Sequence, residues 1–233
     1  METVLHFPHS PASQTQFVRP SVVPMSYDAY LALPGEVHMA GLVEWADNET
    51  IFHMPPNINH QDLTTFLTKL LGVYVEFFKL GQLLVSPVEV KLPSGQAREP
   101  DVLFVSNEHL GRITAQRVDG APDLIIEIVS PESVGRDFDT KFDEYQDAGV
   151  QEYWVIDPRP RRKQALFYQL GQDGLFKLAN LDGGIYRSTI LPNFWLRTEW
   201  LWQTPQALLA FGEVVGTDVL IEKLNQDRKS RNL

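Results

Sequence analysis

The run Pro122-Asp123-Leu124-Ile125-Ile126-Glu127-Ile128 constrains the fold more than any other stretch of the chain. Branched apolar residues at this density predict a central strand covered on both faces. Glu127 sits in the middle of it. An ionised carboxylate there costs several kcal/mol unless a metal or a cation compensates it. An ordinary ion pair with Arg or Lys is one such compensation, so Glu127 alone does not define a site. A second acidic strand start lies upstream, in Arg98-Glu99-Pro100-Asp101-Val102-Leu103-Phe104-Val105, where Asp101 opens another short apolar run. Downstream, Ser130 to Ser133 reads as a turn and helix start, and Asp137 to Ala148 as an amphipathic helix ended by Gly149. Its apolar stripe is Phe138, Phe142 and Tyr145. At about 100° per residue Lys141 falls at the edge of that stripe, so its ammonium can reach inward. Asp101, Glu127 and Lys141 can therefore converge.

Composition narrows what such a convergence can do. With 233 residues and 43% hydrophobic content, the chain is large enough for one well-packed α/β domain. Residues 1 to about 25, rich in Pro, Ser and Gln, read as a loosely ordered arm, and 26–233 as a single domain. Cysteine is absent, which excludes a disulfide framework, a thiolate zinc site and a cysteine nucleophile. No secretory signal and no apolar run of membrane-spanning length is present, so a cytoplasmic location without membrane contact is expected. The net charge of -10 argues against broad electrostatic attraction to nucleic acid, so any such contact must be local.

Around the acidic strands, periodicity predicts a short helix over Tyr27–Leu33 and a hairpin over Gly41–Met54 turning at Asp47-Asn48. A long helix is predicted over Asn59–Leu80, stopped by Gly81. Strands are predicted at Leu83–Lys91, Val102–Val105, Leu124–Val129 and Glu152–Ile156. Gln164–Gln169, Gly174–Leu181 and Ile185–Leu191 form an expected antiparallel meander. Trp195, Trp200 and Trp202, ahead of a short helix from about Pro205, read as packing or a homodimer surface.

This order of helix, acidic strands, lysine-bearing helix and strand resembles the PD-(D/E)XK nuclease core. The strings REPDVLFVS, PDLIIEIVSPES, DTKFDEYQDAGVQEYWVIDP and PPNINH resemble the Uma-type restriction endonuclease family, from about Tyr27 to Leu191. The resemblance implies a restriction-endonuclease-like α/β fold, with a mixed central sheet flanked by helices and added antiparallel strands. It also implies metal-dependent hydrolysis of DNA phosphodiester bonds, by a homodimer that cuts both strands. The family's carboxylates map onto Asp101 and Glu127, which supply the hard oxygen ligands that Mg²⁺ prefers, with Mn²⁺ as a substitute. The carbonyl of Ile128 is a further candidate ligand. The superfamily lysine usually sits two residues after the glutamate, where this chain has Val129. Lys141 matches the lysine of the family's helix and reads as its migrated substitute, placed to orient water or stabilise charge on the phosphate.

Glu44 aligns with an early acidic residue of the family and His60 with its histidine after the proline pair. Each is also compatible with a purely structural role. Glu99 shares a side with Asp101 only if Pro100 leaves the strand alternation intact. Arg98, Arg112, Arg117 and Arg136 are candidate phosphate contacts. The basic turn Arg159, Arg161, Arg162 and Lys163 reads as a solvated loop. Two other functions fit the residues: a catalytically silent scaffold or binding module that keeps the fold, and a phosphoesterase acting on a small nucleotide in a closed pocket.

Overall fold

The computed structural model describes residues 21–34, 43–52, 56–131 and 133–231. Its strands, in chain order, are β1 (Ser21–Pro24), β2 (Val43–Ala46), β3 (Glu49–Phe52), β4 (Gly81–Val85), β5 (Val90–Lys91), β6 (Ala97–Arg98) and β7 (Val102–Ser106). They continue as β8 (Val118–Asp119), β9 (Leu124–Ile128), β10 (Glu152–Asp157), β11 (Gln164–Leu170), β12 (Phe176–Leu178), β13 (Ile185–Arg187) and β14 (Trp195–Arg197). The helices are α1 (Tyr27–Leu31), α2 (Ile58–Phe78), α3 (Lys141–Ala148), α4 (Ala207–Val215) and α5 (Thr217–Arg231). No helix among the described residues is long and apolar enough to cross a membrane.

The central sheet runs β12-β11-β10-β9-β7-β4 and is mixed, since β9 pairs parallel with β10 and antiparallel with β7. All five residues of β9 are buried, as a strand covered on both faces requires. Alternation along the strand sorts its side chains. Leu124, Ile126 and Ile128 join Trp154 and Ile156 against Leu63, Phe66, Leu67 and Leu70 of α2. On the opposite face Ile125 joins Leu103, Val105, Val155 and Tyr145. Glu127 belongs to that second face, which α3 covers. A second sheet, β1-β3-β2-β6-β5-β8, supplies the wall beside it.

The β2–β3 hairpin turns where expected, with Asp47 and Asn48 both left-handed at φ 52° and 61°, the requirement of the tight turn that suits a twisted ribbon. Its outer residues 41, 42, 53 and 54 lie outside the described residues. For α2 the Asn57 side chain accepts from the His60 backbone N–H, an N-cap that fixes the start. The stop differs from the expectation: Lys79, not Gly81, adopts the left-handed cap at φ 53°. Gly81 is needed instead because a Cβ there would lie 2.1 Å from the Val105 carbonyl oxygen.

Three further expectations are corrected. Leu83–Lys91 is two strands in different sheets, β4 and β5, separated around Pro87, which has no N–H to offer a ladder. The meander stops at β12, since β13 pairs with β14. Of the expected loose arm, residues 1–20 lie outside the described residues, whereas Ser21–Pro24 is strand β1, paired with β3. The helix expected from about Pro205 is α4, and a further helix, α5, follows it.

Candidate active site

Backbone register brings the two strand carboxylates together. Val102 pairs with Ile126, and one step further along this antiparallel ladder sets Asp101 opposite Glu127, with both side chains on one face. Asp101 is clamped to β9, because its Oδ2 accepts the Ile128 N–H at 2.7 Å. His60, in the first turn of α2, places Nε2 3.3 Å from the same oxygen.

Lys141 completes the group from the helix side. A π-helical turn over Arg136–Thr140 leads into α3, whose first residue is Lys141. The lysine is only 3% exposed. Its Nζ lies 2.9 Å from Glu127 Oε1, 2.9 Å from Glu44 Oε1 and 3.7 Å from Asp137 Oδ1. One turn on, the Tyr145 hydroxyl donates to Glu127 Oε1 at 2.8 Å. Val129, at the usual lysine position, is instead part of the apolar cluster with Tyr145. Glu44 arrives from β2 and accepts from the Glu99 backbone N–H at 3.2 Å and from Arg98 Nη1 at 3.3 Å. Arg98 turns its fork to Glu144, with Nε and Nη2 donating at 2.7 and 2.6 Å.

The electrostatics follow from this crowding. Burial pushes the Glu127 carboxyl up to about 8; Lys141 opposes that rise, and the charges of Asp137, Asp101 and Glu44 add to it. Burial pulls Lys141 down, but Glu127, Glu44 and Asp137 together hold it above the ordinary lysine value. Asp137 is raised by burial, against Lys141 and the Ser133 hydrogen bond. Burial is also the largest influence on His60 and lowers it; the hydrogen bond and charge of Asp101, with the Ile128 backbone, carry it above the ordinary histidine value. Burial and the Glu44 charge raise Glu99 to about 8.

Asp101, Glu127 and Lys141 are thus brought into one cluster, together with Glu44 and His60. Glu44 bonds the lysine directly. The expectation for Arg98 is corrected: it is buried and committed to Glu44 and Glu144, so it does not face a phosphate. Arg117 pairs with Asp119 and Glu89, and Arg159 with Asp157. Tyr153 and Trp154 are core, as expected.

Asp137 was missed by the sequence reasoning. Ser133 donates to its Oδ2, while its buried Oδ1 has no hydrogen-bond partner. The signal was present as the i,i+4 spacing of Asp137 and Lys141, obscured because an acidic residue at a helix start is ordinarily a dipole partner.

The donor chemistry fits a hard divalent cation. Asp137 Oδ1 is a buried carboxylate oxygen with no hydrogen bond, 3.7 Å from the Lys141 ammonium, and the hydrogen bonds of Asp101 and Glu127 fall on Oδ2 and Oε1 respectively. Among the described residues no group of three or more His, Cys, Asp or Glu is set to hold a metal. An ion such as Mg²⁺, which takes one or two carboxylates and keeps several waters, would need no more than these.

The Uma2 family, described as "Putative restriction endonuclease", matches residues 27–199, and the chain belongs to that family. Among solved structures, a nuclease of the DUF820 group from Anabaena variabilis, titled "putative", aligns with a TM-score of 0.63 at 17% identity, over 77% of this chain and 98% of that one. At that identity the likeness carries the fold. A comparison with curated proteins finds no match.

Proposed function

We propose that the chain is a metal-dependent endonuclease that hydrolyses DNA phosphodiester bonds. In this reading Asp101 and Glu127 hold Mg²⁺ or Mn²⁺, the Ile128 carbonyl adds an oxygen, and Lys141 stabilises charge. The observation that carries it is the charge balance of the cluster. Glu44, Asp101, Glu127, Asp137 and Glu144 outnumber Lys141, Arg98 and His60 in a largely buried setting that opens to solvent at Asp101. A surplus of hard oxygen is what a small divalent cation offsets, and family membership supports nuclease chemistry.

When bound, the ion would supply Lewis-acid chemistry to the phosphate and lower the pKa of its water. The chain's own residues do the rest. Asp101, fixed by the Ile128 N–H, presents a carboxylate that does not have to reorganise. Lys141 stays protonated, so it serves as a fixed positive charge for the anionic transition state and not as a base. His60, biased toward its protonated form by Asp101, is placed to hand a proton to a leaving oxygen. Glu44 and Asp137 position Lys141. DNA as substrate, homodimeric assembly and a cytoplasmic location belong to the same reading and rest on the family resemblance and the sequence.

One observation favours the silent scaffold. Lys141 is already satisfied by Glu127 and Glu44 at 2.9 Å, the pairing-off a non-catalytic relative would keep. Incubation of plasmid and single-stranded DNA with Mg²⁺, Mn²⁺ or EDTA separates the two. Cleavage that needs the ion and disappears in Asp101→Asn supports the endonuclease. DNA left intact under both metals, by a protein that folds and binds them, overturns the endonuclease.

A further inference from the structure

Arg112, grouped with the candidate phosphate contacts by its place in the sequence, lies elsewhere in the fold. Asp123 immediately precedes β9, four residues ahead of Glu127, so the two carboxylates stand about 13 Å apart along the strand. Around Asp123 is a cleft of about 400 Å³, lined by His109, Arg112, Gly120, Gly149 and Gln151 among others. That volume suits a small ligand.

The polar groups of this cleft are organised. Asp123 is buried, and its Oδ2 accepts the Ser106 backbone N–H at 2.7 Å. Its Oδ1 lies 2.8 Å from His109 Nδ1. The bond assigns the ring proton to Nδ1 and leaves Nε2, on a part-exposed ring, for a ligand. Ser106 Oγ faces the same Nδ1 at 3.4 Å, so these residues do not form a serine–histidine–aspartate relay, in which the serine must face the other nitrogen. Arg112 donates Nη1 to the Ala121 carbonyl. Among the described residues it has no carboxylate partner, in contrast to Arg98, Arg117, Arg159 and Arg197. Three carbonyls at the end of α3, which would repel an anion, are taken: Gly149 N–H bonds that of Gln146, Val150 N–H that of Tyr145, and Gln151 Nε2 that of Gly149.

We propose that this cleft is a second site that binds a small phosphate monoester. Arg112 donates to the phosphate, His109 Nε2 accepts from its P–OH group, and Asp123 positions the histidine. The site shares no residue with the candidate active site and stands whether or not the nuclease reading does.

Calorimetric titration of the full chain in EDTA with AMP, and with adenosine as the phosphate-free control, tests it. Saturable AMP binding is expected, with adenosine at least about tenfold weaker. Arg112→Gln and His109→Gln should each lose about tenfold or more. Arg112→Lys should lose less, since it keeps the charge without the fork. The Asp101→Asn/Glu127→Gln variant should bind AMP as wild type does. Melting curves identify folded variants, and if Arg112→Gln does not fold, His109→Gln carries the test. The proposal is overturned by absence of wild-type binding up to about 10 mM AMP or by equal binding of adenosine. It is equally overturned by AMP affinity unchanged in folded His109→Gln, or by its loss in the Asp101→Asn/Glu127→Gln variant.

Discussion

Glu127 on β9 and Glu152 on the adjacent β10 are both buried glutamates of the central sheet, and they are handled in opposite ways. Glu152 is satisfied by neutral donors: Ser188 Oγ at 3.0 and 3.1 Å, Thr189 through its backbone N–H and its Oγ1, and Trp154 Nε1 at 3.2 Å. It staples the loop after β13 to the sheet. Glu127 has the Lys141 ammonium and the Tyr145 hydroxyl on one oxygen, and other carboxylates crowd the same space. Burial of a carboxylate is therefore not the mark of a site. The mark is a surplus of carboxylates over the donors that face them.

The largest expected effect of breaking this contrast is on catalysis. Lys141→Met should lower plasmid cleavage by a factor on the order of 10² to 10³, measured at a temperature where the variant stays folded. Because Lys141 is buried among acids, the same change should destabilise the fold by roughly 3–5 kcal/mol, more than a lysine on the helix surface would. Cleavage within about twofold of wild type, a gap of about 0.4 kcal/mol, returns Lys141 to a structural role.

Stability separates the two glutamates next. Glu152→Ala strands several buried donors and should cost about 3 kcal/mol in chemical denaturation, with cleavage by the folded fraction unchanged. Glu127→Gln should leave the metal-free fold as stable as wild type or more so, because it removes a carboxylate from a surplus. Equal destabilisation by both would erase the distinction.

A pH series sharpens it further. Glu127 and Glu99, each raised to about 8 by burial, hold protons in the folded state that the unfolded chain releases near pH 4 to 5. Their contribution to stability is present below that range and is lost as pH rises toward 8. Melting temperature without metal should therefore fall between about pH 5 and 8, less steeply in Glu127→Gln and in Glu99→Gln. A flat profile in wild type contradicts the crowding. The smallest effect expected is a partial recovery of cleavage by Val129→Lys in the Lys141→Met background, since Val129, just past the end of β9, packs on the face that carries Glu127; no recovery in a folded double variant would show that the position cannot reach the phosphate.

Much of this was legible in the sequence because it depends on short-range periodicity. The apolar run around Glu127 is the central strand, Asp101 opens its neighbour, and the stripe of Phe138, Phe142 and Tyr145 aims Lys141 inward. What stayed hidden depends on distant pairing. Glu44 reaches Lys141 only because the second sheet lies against α3. Arg98 read as a candidate phosphate contact, yet Glu44 and Glu144, 54 and 46 residues away, take up its guanidinium. The stop of α2 at Lys79 was hidden because a left-handed lysine carries no signature of its own, while Gly81 nearby offered a conspicuous one.

The most direct measurement is calorimetric titration of Mn²⁺ into wild type, the Asp101→Asn/Glu127→Gln variant and Glu152→Gln, each first shown to be folded. Wild type and Glu152→Gln should bind the ion alike, and the Asp101→Asn/Glu127→Gln variant should lose that binding event. If the Asp101→Asn/Glu127→Gln variant binds Mn²⁺ with wild-type affinity and stoichiometry, the surplus of carboxylates around Lys141 is not a metal site and the nuclease mechanism drawn from it does not hold.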